Sequence, residues 1–238
     1  SFKYMSHHFV KYSNVYYRYD DGTEALKGVD FMVTHGERVA LFGLNGSGKS
    51  TLMLLTDALI FPTEGEVNVG DVPVTKKTAE SIRRSVGFVF QDPDDMLFMP
   101  TIYDDIAFGP RNMKLPEEEV VRRVEAALQA VGLKGMEKKA AFQLSGGQRR
   151  SAAIASVLAM EPDILILDEP SANLDALSRR NLINILKEFR HTIILATHDI
   201  EMAQELCQRA VILEKGVVAA DKAMNECNDD LFQKFGLR

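Results

Sequence analysis

Cysteine is nearly absent from this sequence: Cys207 and Cys227 are the only two in 238 residues. That excludes a disulfide-stapled scaffold and any metal site built on closely spaced thiolates, and it fits structural thiols in a reducing compartment. Long apolar runs are missing too. None approaches the roughly 18 residues that a bilayer span needs. The nearest, from Ala152 to Met160, is interrupted by Ser156 and ended by Glu161-Pro162. No signal-peptide pattern is read at the start, where SFKYMSHHF lacks an initiator Met. His7 and His8 there read as tag or surface residues rather than as ligands. An excess of positive charge is the third absence. The chain carries 28 Lys and Arg against 34 Asp and Glu, a net charge of −6. It therefore has no general attraction for nucleic acid or for an anionic membrane surface. Internal repeats and low-complexity linkers are lacking as well. If this protein works at a membrane, a protein partner must hold it there.

What is present is an ordinary globular composition, 46% apolar and 26% charged, in a chain long enough for one domain with a subdomain. The N-terminal third is β-rich. HFVKYSNVYYRY, KGVDFMV and RVALF are separated by the turn signals Asp20-Asp21-Gly22 and His35-Gly36, and EGEVNVGDVPV reads as a hairpin. RVALF runs into GLNGSGKS and then STLMLLTDALI, a predicted helix ended by Pro62. After the short strand SVGFVF the character changes. DPDDMLFMP is a polar, Met-rich loop, and TIYDDIAFGP predicts a short helix stopped by Gly109-Pro110. PEEEVVRRVEAALQAVG predicts an amphipathic helix with Pro116 at its start and Val120, Val124, Ala127, Leu128 and Val131 on one stripe, ended by Gly132. Residues from about 92 to 157 are thus expected to form a helical insertion, with about 6–91 and 158–238 as the core. DILILDEP and TIILAT then read as strands, DALSRRNLINILKEF and DIEMAQELC as helices, the first capped by Asp175, and RAVILEKGVVAA as a hairpin through Lys215-Gly216. Apolar strands alternating with helices predict an α/β fold with a mainly parallel sheet covered on both faces.

Gly43-Leu44-Asn45-Gly46-Ser47-Gly48-Lys49-Ser50 fits G-x-x-x-x-G-K-[ST], with a strand before it and the helix STLMLLTDALI after it, and Thr51 next in the chain is a further nucleotide-binding candidate. The chemistry needs that context. Glycines let backbone N–H groups wrap phosphates, Lys49 reaches the β and γ oxygens, and the Ser50 hydroxyl holds Mg²⁺. A nucleoside triphosphate is the predicted ligand. A hydrolysing protein of this kind also needs a carboxylate near Mg²⁺ at a strand end. ILILDE supplies two: Asp168 as the Mg²⁺ partner and Glu169 to polarise the attacking water. Both can reach the cleft only because the chain turns there.

Three further stretches fall in order. LSGGQ (residues 144–148) precedes ILILDEP, SANLD follows it at once, and His198 ends the next strand in LATHD. With the phosphate loop these motifs resemble the nucleotide-binding subunits of ATP-binding cassette (ABC) proteins over nearly the whole chain. The resemblance implies a P-loop NTPase (RecA-like) core with an N-terminal antiparallel β subdomain and a helical signature subdomain. It implies ATP and Mg²⁺ as ligands and ATP hydrolysis as the activity. It also implies a head-to-tail pair of ATPase subunits, in which Ser145, Gly146, Gly147 and Gln148 of one close over the γ-phosphate held by the other. By the same resemblance Tyr19 stacks on adenine, with Tyr16 and Tyr17 as nearby alternatives. Gln91 senses Mg²⁺ and the attacking water, His198 contacts the γ-phosphate, and Asp175 belongs to the loop that crosses between subunits. Taken alone, Ser145 reads as a plain helix N-cap, which is compatible with the interface role.

The segment VGFVFQDPDDMLFMPTIYDDIAFGPRNM is most similar to ATPases of energy-coupling-factor importers, which take up cobalt, nickel and water-soluble vitamins, and LFQKFGLR is similar to the end of a short version of those chains. This implies a peripheral place on the cytoplasmic face of the cell membrane. It also implies an integral membrane coupling subunit, a membrane subunit that binds the substrate, and no nucleic acid. Met96, Phe98 and Met99 read as exposed apolar residues that grip a partner helix, or else as core of the helical insertion. One departure stands out. The family usually has arginine three residues after the glutamine of LSGGQ and a β-branched residue next, where this chain has Ser151 and Ala152, its arginines being Arg149 and Arg150. How the signature helix is anchored is therefore open. A soluble ABC ATPase of DNA repair or translation is the alternative, disfavoured by the lack of a heptad run between Lys49 and Leu144 and by the single cassette. Glu169 and His198 together disfavour a third reading, an ATP-gated binding module without turnover.

Overall fold

The first strand, β1 (Val10–Arg18), buries Val10 and Tyr12 by alternation and Val15 after a register shift at Asn14, which has φ +48°. The computed structural model describes residues 9–238, so His7 and His8 lie outside the described residues. After β1 come β2 (Glu24–Val33), β3 (Arg38–Phe42) and helix α1 (Lys49–Thr56), then β4 (Glu64–Val69), β5 (Val72–Pro73), α2 (Ala79–Ser85) and β6 (Val86–Val89). The helical stretch holds α3 (Ile102–Asn112), α4 (Glu117–Ala130) and α5 (Gly146–Leu158). The remainder alternates: β7 (Ile164–Asp168), α6 (Ala176–Glu188), β8 (Thr192–Ala196), α7 (Ile200–Leu206), β9 (Arg209–Glu214), β10 (Val217–Ala223) and α8 (Asp229–Lys234).

The chain divides into two compact units. The first holds the described residues up to Val86, with Asp163–Ile166 and Arg190–Arg238; the second holds Gly87–Pro162 and Leu167–Phe189. In the first, an antiparallel sheet runs β2-β1-β4-β5, with Val10 facing both Val33 and Val69. Strands β10, β9, β3 and β8 of the same unit lie side by side in that order. β3 pairs in parallel with β8 and β9, while β10 returns antiparallel on β9 through Lys215-Gly216, both at positive φ. Every residue of β8 is buried, as are Val39 to Phe42 of β3, which is the pattern of strands covered on both faces. In the same unit burial pushes the carboxyl of Asp57, at the C-terminus of α1, up to about 7, with the Arg83 guanidinium opposing that rise. The second unit packs α3, α4 and α5, with Val120, Val124, Ala127 and Leu128 of α4 buried as a stripe. Gly87 has no room for a Cβ because Val157 of α5 and Pro162 occupy that space. Among the described residues no helix is long and apolar enough to cross a membrane.

The expected strands, hairpins and caps form where the sequence places them, with four differences. Helix α1 stops at Thr56, short of the Pro62 boundary, because the chain leaves helical geometry at Ala58, which has φ +53°. Helix α3 does not stop at Gly109-Pro110 but runs to Asn112 with Pro110 inside it. Gly109 lies against Met160, which leaves no space for a side chain. Helices α2 and α8 were not anticipated. Of the three apolar loop residues, Phe98 is exposed, whereas Met96 and Met99 are half-buried.

Candidate nucleotide site

The phosphate loop lies between β3 and α1, and its backbone is set by glycines that cannot be replaced without strain. Gly43, Gly46 and Gly48 have φ of +152°, +78° and +108°. At Gly43 a Cβ would collide with the carbonyl of Leu213 and with Ser47, and at Gly48 with Leu26 and the carbonyl of Ala25. Gly46 has open space beside it. The first and third glycines therefore serve the packing of the loop, and the second leaves a face for a ligand. Lys49 is buried, and its ammonium donates to the carbonyls of Gly43 at 2.6 Å and Leu44 at 3.3 Å, which holds it across the loop. The Ser47 Oγ is buried without a protein partner, a polar atom that phosphate oxygens would satisfy. Asn45 and Ser50 are exposed. The donor set fits a polyphosphate.

Three tyrosines of β1 and the following turn lie close by in the same unit. The Tyr19 hydroxyl shares a 2.9 Å hydrogen bond with Thr51 Oγ1 in the first turn of α1. Tyr17 stands edge-to-face on Tyr19, with centroids 4.9 Å apart. These two, with Leu26, Thr63 and Glu64, border a cavity of about 360 Å³. Tyr16 lies against Gly28. Of the three aromatics left open by the sequence, Tyr19 is the one hydrogen-bonded to the loop helix. His198 is exposed just after β8, ahead of Asp199, whose carboxylate accepts from Met202 N and caps α7.

The second unit carries the remaining residues. Asp168 is the last residue of β7, and Glu169 follows at φ +45°, a left-handed conformation unusual for glutamate. That reversal ends the strand alternation directly after Asp168, so Glu169 does not continue the sheet pattern. Gln91 is exposed two residues beyond the end of β6. In the signature turn Ser145 is the N-cap of α5: its Oγ accepts from Gln148 N at 3.2 Å while Gln148 Oε1 accepts from Ser145 N at 3.0 Å. A Cβ on Gly147 would strike Ser178 Oγ of α6, whereas nothing lies near Gly146. Asp175 caps α6 by accepting from Ser178 N at 2.7 Å, and that hydrogen bond holds its carboxyl below the usual range. Ser145, Gly147, Ser151, Asp175 and Asn181 share a groove of about 690 Å³. Beside it Leu177 is 72% exposed, and Phe142, just before the signature, is 83% exposed. Neither is marked in the sequence, where Phe142 lies just before LSGGQ and Leu177 just after SANLD, with no periodicity to point to exposure. Among the described residues no group of three or more His, Cys, Asp or Glu side chains is arranged to hold a metal ion. Ser50 in the first unit, and Gln91 and Asp168 in the second, each carry an oxygen donor of the kind Mg²⁺ takes.

A parallel sheet with a glycine loop opening a helix, an acidic strand end and a capped signature turn defines a nucleotide-hydrolysing P-loop cassette. The family model for ABC transporters matches residues 26–172, and the chain belongs to that family and is an ATPase. It is 51% identical over 229 residues, 95% of this chain and 92% of the relative, to a protein of Geobacter sulfurreducens provisionally named an ABC transporter ATP-binding protein. It is 42% identical over 227 residues to the energy-coupling factor transporter ATP-binding protein EcfA of Methanocaldococcus jannaschii, covering 93% of this chain and 81% of that one. Its fold matches the structure of cbiO1 from Clostridium perfringens, part of the ABC transporter complex cbiONQ, with a TM-score of 0.84 and 39% identity over 96% of this chain and 94% of that one.

Proposed function

We propose that this ATPase is the motor subunit of an energy-coupling-factor importer, driving uptake of a transition-metal ion such as cobalt or nickel, or of a vitamin. It pairs with a second ABC ATPase subunit, a copy of itself or a paralogue. It sits peripherally on the cytoplasmic face of the cell membrane, against an integral membrane coupling subunit that accompanies a substrate-binding membrane subunit. The observation that carries this reading is the surface displayed just after Gln91. Phe98, 63% exposed, stands edge-to-face on Phe108, 42% exposed, with centroids 5.0 Å apart. The loop that displays it is pinned by Asp105, whose Oδ1 accepts from both Phe98 N and Met99 N at 2.9 Å. An apolar surface next to a nucleotide-sensing residue suits transmission to a partner protein. Kinship with EcfA and cbiO1 supports the same reading.

In this mechanism Tyr19 stacks on the adenine, and the backbone of Gly43–Gly48 with Lys49 and Thr51 holds the phosphates. Ser50, Asp168 and Gln91 would hold Mg²⁺, which would supply positive charge against that of the phosphates. Glu169 accepts the proton of the attacking water, and His198 and Gln91 orient water and γ-phosphate. Ser145, Gly146, Gly147 and Gln148 close over the phosphate of the other subunit, and Asp175 lies at the junction. Lys49→Ala should abolish tight ATP binding, and undiminished affinity would contradict the phosphate-loop assignment. The transporter reading is tested by purification from native membranes. Co-purification with integral membrane subunits is expected, and recovery only with ribosomes or DNA would overturn it.

A further inference from the structure

Arg150 is the residue whose placement the roles above leave unexplained. It sits near the N-terminus of α5, where the helix dipole is positive and the first turn holds no acidic residue. A cation gains nothing there from its own helix. It is also 4% exposed, and burial lowers its affinity for a proton, against the opposing pull of Asp92. Both effects disfavour arginine, so a tertiary contact must offset them. That contact is a fork onto the β6 exit: Nη1 donates to the Phe90 carbonyl at 3.0 Å and Nη2 to the Gln91 carbonyl at 2.5 Å. A planar guanidinium can satisfy two successive carbonyls at once, which a lysine ammonium on a flexible stem does poorly. The neighbouring Arg149 points the same way, its Nη1 lying 3.6 Å from Asp94 Oδ1. Both arginines of α5 therefore reach the segment from residue 90 to residue 95.

We propose that Arg150 is a positioning residue of the ATPase cycle: its two hydrogen bonds tie the signature turn, Ser145–Gln148, to the backbone of Gln91, so that the two elements move as one body. The proposal rests on the roles given above to Gln91 and Ser145. It also answers how the signature helix is anchored with Ser151 in place of arginine: by the residue one position earlier, onto the glutamine loop. A subunit that shifts its signature turn then shifts Gln91 and the Phe98 surface with it.

The test compares amide hydrogen exchange and steady-state ATPase kinetics for the full-length chain, Arg150→Met, Arg150→Lys and Gln91→Ala. Arg150→Met keeps the apolar stem and removes the fork. Exchange at residues 90–95 should rise while that of β3 and β8 stays at the parent level. The kcat should fall on the order of tenfold with the KM for ATP little changed, since misplacing a catalytic group costs turnover rather than ground-state binding. Arg150→Lys should recover part of both. If Arg150→Met does not fold, Arg150→Lys carries the comparison, and an intermediate rise in exchange is expected. Parental exchange at residues 90–95 in the folded variant overturns the tie, and raised exchange with parental kcat overturns its consequence for turnover. Gln91→Ala separates the two levels. If it turns over at the parent rate, the role given to Gln91 fails, while the exchange comparison still decides whether Arg150 holds that segment.

Discussion

Two adjacent glycines show how much a single residue can conceal. Gly146 and Gly147 are indistinguishable as letters in LSGGQ, yet a Cβ on Gly147 meets Ser178, and one on Gly146 meets nothing. Gly147→Ala should therefore destabilise the fold by roughly 1–3 kcal/mol through overpacking. Gly146→Ala should leave thermal stability unchanged or slightly raised, because alanine favours helix, while lowering ATPase activity by crowding the ligand face. Equal melting temperatures for the two variants would contradict this division. Asp57 makes a second point at this scale, about pH. Its carboxyl is raised by burial to about 7, so the folded state binds the proton more tightly than the unfolded chain does. Stability contributed by the neutral form is fully present below the unfolded value near 4 and is lost as pH rises through about 7. Asp57→Asn removes the titration. Its gain over the parent should be larger at pH 8 than at pH 5, on the order of 1–3 kcal/mol by denaturant unfolding. A gain independent of pH would show that Asp57 does not titrate in that window.

Elements were legible in the sequence where one local signal decided them. Pro116 and the three glutamates after it open α4, and Asp175 opens α6. Strand β8 is buried along its whole length and reads as such. Helix α2 was missed because only Ala79 and Ile82 of its seven residues are buried, too few to show a helical period. Helix α8 buries Phe232 alone, edge-to-face on Phe42 of β3, a tertiary contact with no local trace. Proline at 110 signals a stop, but α3 passes through it, with Met113 N and Lys114 N still bonded to Gly109 and Arg111 carbonyls. Helix α5 yields the prediction for this scale. Ser151 faces the groove of about 690 Å³ shared with Gln129, Asn181, Asn184 and Glu188, so an arginine there has space and acceptors. Ser151→Arg should change stability by less than about 0.5 kcal/mol and leave ATPase activity near the parent level. A large loss of either would mean that the groove itself is used.

At the scale of the whole molecule, the candidate site was legible because its motifs are contiguous and each carries its own chemistry: a glycine loop, a strand ending in two acids, a capped turn. What links them was not. The Tyr19–Thr51 hydrogen bond spans 32 residues, and the fork from Arg150 spans about 60, distances over which no local pattern speaks. Nor does sequence show that Phe142 and Leu177 stand exposed near the signature turn, the apolar surface expected of a face that meets a second subunit. The central claim is that this turn serves a phosphate bound elsewhere than in its own loop, so that one chain alone is a poor ATPase. Glu169→Gln keeps the binding groups and removes the base, so turnover should fall by about 10²–10⁴ with ATP affinity intact. The decisive measurement is the sedimentation mass of that variant, purified with its natural ATPase partner, in ATP and in ADP. The account predicts a closed pair of ATPase subunits in ATP that separates in ADP; a 26.6 kDa monomer with ATP fully bound would contradict it.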